Sequence, residues 1–136
     1  MHDLVFLSSY IHDARFKIKE VRLRGKKLQI PLERDRWERY KSLGELECIP
    51  SLLTVNPVLS IGWESKGRLI RKGSAPQAEE FCIRHVYPGE AYWDEPENGQ
   101  IVLSGHGKGP SKLRISVRDP FIIRLEDRKR GKTSGK

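Results

Sequence analysis

A chain of 136 residues is the size of one domain, and such a domain buries about two-thirds of its unfolded surface without needing disulfides or metal. Apolar residues make up 37% and charged residues 32%, with 26 Lys+Arg against 18 Asp+Glu and only two Cys. This excludes a disulfide scaffold, and no stretch approaches the roughly 18 apolar residues of a membrane helix.

The net charge of +8 is unevenly spread. Arg128 to Lys136 holds five cations and no acid, which leaves residues 1–127 with a balance of only +3. Residues 128–136 have nothing apolar to bury and read as a disordered basic tail on a single domain, 1–127. With no basic region before the Leu4–Leu7 run, a signal peptide is not expected, and the protein reads as cytoplasmic.

Asp3 to Ile11 suggests a short helix against one end of the fold. Asp13 then makes a turn or cap. Phe16 and Ile18, then Val21 and Leu23, alternate with Lys and Arg, and the switch of parity places a bulge near Lys19-Glu20. Gly25-Lys26 turns the chain into Leu28, Ile30 and Leu32, a hairpin in which Pro31 demands an edge or a bulge. Glu33 to Lys41, with Trp37, Tyr40 and Leu43 at helical spacing and Gly44 as a stop, reads as a helix.

Leu53 to Trp63 reads as two short strands or one strand kinked at Asn56-Pro57. Glu64-Ser65-Lys66-Gly67 turns into Arg68–Arg71, and Gly73–Pro76 is a loop. Phe81, Ile83, His85 and Tyr87 alternate up to Pro88-Gly89. Asn98-Gly99 carries the strongest hairpin signal, joining Ala91–Trp93 to Ile101–Leu103. Leu113, Ile115 and Val117 follow, then an Arg118-Asp119-Pro120 turn and a last strand from Phe121 to Leu125. The expectation is all-β: a single-domain antiparallel sandwich or barrel of about eight to ten short strands with one or two short helices.

Three constellations are candidates for function. The loop Gly105, His106, Gly107, Lys108, Gly109 and Lys112 has glycines whose N–H groups suit an anion, although the next residues form a strand and the pattern is no phosphate loop. Lys17, Lys19, Arg22 and Arg24, with Lys112, Arg114 and Arg118, form one basic face if their strands are neighbours. That face carries no aromatic ring for stacking on bases. His85 shares the apolar parity and, with Tyr87, Tyr92 and Trp93, outlines a pocket beside the acids Glu90, Asp94, Glu95 and Glu97. His2-Asp3 and His12-Asp13 read as structural pairs.

No Gly-x-Ser-x-Gly elbow is present, and neither Cys48 nor Cys82 stands in a catalytic context, so no catalytic residue, cofactor or metal is assigned. Two isolated thiols read as reduced residues unless the fold brings them together. The leading expectation is a non-catalytic binding or interaction domain with a protein partner. A nucleic-acid-binding module using the basic face and tail, with weak affinity, comes second, and a small enzyme with a His-lined pocket third. No membrane contact is expected, and self-association into a homo-oligomer stays open.

Overall fold

A computed structural model describes residues 2–35, 48–65, 67–69, 80–89, 98–106 and 110–128. The helix α1 (His2–Ile11) precedes β1 (Arg15–Lys17), a single 3-10 turn (Ile18–Glu20), β2 (Arg22–Arg24) and β3 (Lys27–Asp35). Then come β4 (Cys48–Ser65), β5 (Arg68–Leu69), β6 (Glu80–Pro88), β7 (Asn98–His106) and β8 (Lys112–Asp127). All pairings are antiparallel, in the order β2-β3-β1-β6-β7-β8-β4-β5, and β3 also pairs with β4. That last pairing closes the sheet. Of the two architectures left open by the sequence, the chain forms the barrel: six staves, with β1 and β2 sharing one and β5 a short arm on β4. Closure removes the free edges that an open sheet would expose.

Alternation decides what faces inward. Along β3 the buried residues are Leu28, Ile30, Leu32 and Arg34, and β7 and β8 across the barrel supply Ile101, Leu103, Leu113 and Ile115, all essentially inaccessible. α1 sets Leu7 and Ile11 into the same core. Its C-terminus is fixed where Asp13 adopts a left-handed backbone, φ 67°, and its N–H donates to the Ile83 carbonyl at 2.8 Å.

The parity switch at Lys19-Glu20 marks the 3-10 turn that divides β1 from β2. Because of this turn, β3 meets β1 only at Glu33 and β2 only at Lys27–Gln29, so Ile30–Leu32 has no ladder partner on that side. Pro31, which lacks an N–H, stands in this gap. β4 is one kinked strand, bent at a cis Asn56-Pro57 bond.

Four expectations are corrected. Glu33–Asp35 belongs to β3, paired with β4 as far as Asp35↔Cys48, because a long-range ladder satisfies its backbone where a local helix was expected; residues 36–47 lie outside the described residues. Asn98-Gly99 opens β7, facing Arg118 and Val117, and is not the turn between two strands; residues 90–97 lie outside the described residues. Arg118-Asp119-Pro120 is not a turn between strands but the bulge of a continuous β8, where the register against β4 jumps from Val58↔Val117 to Asn56↔Ile122. The fourth concerns the basic strands: β1 and β8 sit on opposite sides of the ring, separated by β3 and β4 one way and by β6 and β7 the other.

Candidate polyanion interface

The β2–β3 hairpin brings Arg22 opposite Gln29, Leu23 opposite Leu28, and Arg24 opposite Lys27. Leu28 is committed to the core, so Arg22, Arg24, Lys27 and Gln29 point outward. The turn is held by Gly25 at φ 60° and tied to β4 by the Val58 N–H, which donates to the Lys26 carbonyl at 2.7 Å. Pairing extends the row across the barrel wall: Gln29 faces Thr54, and Thr54 faces Arg124. The row Arg22–Gln29–Thr54–Arg124 therefore crosses β2, β3, β4 and β8, about 14 Å along the wall and half of the ring, with Arg22 and Arg124 at its two ends. Asn56 and Ile122 extend it one pair along and Glu126 one pair the other way.

Lys27, Gln29, Thr54, Asn56, Ile122, Arg124 and Glu126 line a depression of about 290 Å³ on this face. Four cations rim it or flank it, and Glu126 is its one acid. Ile122 is 65% exposed. A second groove, about 330 Å³, lies over β1, β3 and β4, but its rim sets Arg15, Lys17 and Arg128 against Glu20, Glu33 and Glu80 and so selects no charge.

Four other described cations have carboxylate partners, whereas Lys17, Lys19, Lys26, Arg84, Arg118 and Arg128 make no carboxylate bond with a described residue. Arg34 makes two bonds to Asp127, at 2.9 and 2.8 Å. Arg114 Nε donates to Glu64 Oε2 at 2.8 Å and its Nη1 to Gln100 at 2.9 Å, while Lys112 lies 3.9 Å from the same Glu64. Arg15 reaches Asp35 at 3.9 Å. Arg22, Arg24, Lys27 and Arg124 make no such bond with a described residue. Arg24 and Lys27 are like charges directly across a ladder, an arrangement that costs stability.

The sequence-derived sites are thus rearranged. Arg22 and Arg24 stay together but their neighbours are Lys27 and Arg124; Lys17, across from Glu80, and Lys19 precede them on β1 and the 3-10 turn. Arg114 and Lys112 are at the start of β8, away from Arg124 along the strand and beside Glu64 of β4, and Arg118 is exposed in the β8 bulge. In the glycine-rich loop, Gly107, Lys108 and Gly109 lie outside the described residues, and His106 ends β7. A Cβ on Gly105 would sit 2.6 Å from Phe81 Cζ, so this glycine serves close packing.

His85 is corrected from an apolar to an exposed position. A register shift between Ile83 and His85 reverses the parity, and Val86 takes the inward place. Its ring lies 6.0 Å from that of His12, whose Nδ1 is 3.3 Å from Asp13. Tyr87 is half-buried opposite Val102; Tyr92, Trp93 and the acids from Glu90 to Glu97 lie outside the described residues, as do residues 129–136. Neither cysteine is in a disulfide: Cys48 lies 3.3 Å from Arg15 Nη2, and burial, reinforced by the charge of Asp13, pushes the Cys82 thiol up. Among the described residues there is no group of three or more metal-ligating side chains, and no helix long and apolar enough to cross a membrane.

Sequence reasoning missed Lys27, Gln29, Thr54 and Arg124 as a group. The even parity of Ile122, Arg124 and Glu126 was visible, but nothing local says that β4 joins that strand to the first hairpin. Comparison with protein-family models, curated proteins and solved structures gave no match.

Proposed function

We propose that the protein is a non-catalytic binding domain whose working surface is the outer face of β2, β3, β4 and β8, and whose partner is an extended anionic molecule. One observation carries this reading: Lys27 and Arg124 line one depression with Gln29, Thr54 and Asn56, and Lys27 stands directly across a ladder from Arg24, none of the three cations making a carboxylate bond with a described residue. A like-charged pair across a ladder costs about 0.2–1 kcal/mol, and a bound anion relieves that repulsion. Function here works against stability, as it does at many binding surfaces.

Lys27→Glu separates the two effects. The substitution places a carboxylate across from Arg24, so stability is expected to rise by about 0.5 kcal/mol, about 2 °C in Tm. Retention on a heparin column is expected to fall, with elution at clearly lower salt. Thermal melts and the elution profile check both halves; unchanged heparin retention would place the anion site elsewhere.

A further inference from the structure

We infer that the anionic partner of this face is the phosphate backbone of a nucleic acid, held without readout of base sequence; the inference rests on the polyanion reading above. The centre of the face decides between the two large classes of polyanion. A protein interface draws its affinity from a desolvated apolar or aromatic centre. Here the centre is Gln29, Thr54 and Asn56, amides and a hydroxyl, with Ile122 at one side. Phosphate oxygens are bound by this set: arginine and lysine for charge, Asn, Gln and Thr as neutral donors, with water between.

Three of the four cations along this row, Arg22, Arg24 and Arg124, are arginines, whose forked N–H groups match two phosphate oxygens at once. The face has no aromatic ring among its described residues, so bases have no stacking platform, and a duplex, with its higher charge density, is favoured over a single strand. Beyond Arg128 the sequence adds Lys129, Arg130, Lys132 and Lys136, which bring further positive charge to the same molecule.

The test uses the full chain and a mixed-sequence DNA duplex of about 20 base pairs, with affinity measured between roughly 50 and 200 mM salt. Four phosphate contacts give a log–log slope of about −3.6, steeper if the terminal lysines and arginine contribute. The triple variant Arg22→Glu/Lys27→Glu/Arg124→Glu is expected to bind at least tenfold more weakly at the lowest salt, with a slope shallower by about 3. A full-length variant with Lys129, Arg130, Lys132 and Lys136 changed to Gln is expected to keep a slope of about −3. Duplexes of different base composition should bind within about twofold of one another.

A duplex that binds the triple variant as tightly as the parent, with heparin retention also unchanged, overturns both the inference and the reading beneath it. If the triple variant loses heparin and polyglutamate, and polyglutamate outcompetes the duplex on the parent, the face is a polyanion site for acidic protein and the nucleic-acid inference falls. A preference above tenfold between duplex sequences also overturns it. Because the triple variant removes like-charge repulsion, its melting temperature should not drop, and loss of folding cannot mimic loss of binding.

Discussion

Phe81→Ala is expected to lower stability by about 4 kcal/mol, about 14 °C in Tm for a domain of this size. Phe81 is 2% exposed and joins two aromatic partners, the Phe16 ring stacked at 5.2 Å and the Trp63 ring edge-on at 5.8 Å. Removing the ring takes away the apolar contact and both pair interactions and leaves a cavity between β1, β4 and β6. Gly105 closes the fourth side of that ring. Gly105→Ala alone should therefore destabilise the protein by about 1–3 kcal/mol through overpacking, yet cost much less when Phe81 is already alanine. Urea unfolding of the two single variants and the double variant measures this coupling. Additive losses would mean that Gly105 is required for something other than room for Phe81.

Asp127→Ala is expected to cost about 3 kcal/mol, about 10 °C in Tm. Arg34 points into the end of the barrel with only 4% of its side chain exposed, and Asp127, one-third exposed, is its charge partner. Ser51 Oγ donates to the same carboxylate at 2.8 Å, and the Arg34 guanidinium lies over the Tyr10 ring, 6.0 Å from its centroid. The cluster joins α1, β3, β4 and β8 at one end of the barrel. Removing Asp127 strands a buried cation, whereas Arg34→Met removes the charge and keeps the apolar stem. The methionine variant should therefore be clearly more stable than the alanine variant. The water that reaches Asp127 is the reason for choosing the lower end of the range for a buried pair. A loss below about 1 kcal/mol for Asp127→Ala would mean that water compensates Arg34 in full.

Elements whose signals are local were legible in the sequence. The parity switch in Phe16–Leu23 located the 3-10 turn, Gly25-Lys26 the first hairpin, Asn56-Pro57 the kink in β4, and Asp3–Ile11 the helix at the barrel's end. What failed depended on partners far along the chain. Glu33–Asp35 has helical spacing with the residues after it, yet β4 offers eight consecutive paired positions, and that ladder wins. His85 followed the parity of Phe81 and Ile83 until the ladder with β7 slipped by one residue, a shift that nothing local on β6 announces, although Gly105 stands opposite it on β7.

The basic surface was half legible for the same reason. Outward alternation identified Arg22 and Arg24, but which cations join them depends on strand order. β4 links the first hairpin to Arg124 near the end of β8, while Arg114 stands near the start of the same strand, where Glu64 of β4 bonds it. Glu64 itself is buried on the outside of the barrel, a position that alternation alone assigns to solvent.

If the outward cations of β2, β3 and β8 form the binding surface, amide chemical-shift mapping of the full chain during titration with the mixed-sequence duplex shows it. Shifts are expected at Arg22–Arg24, Lys27–Gln29, Thr54–Asn56 and Ile122–Glu126, saturating together and reversing as salt rises, while Gln100–Ser104 of β7 and Lys112–Ser116 at the start of β8 stay in place. Shifts confined to residues 129–136, or centred on the Lys112–Arg114–Glu64 wall, would contradict it.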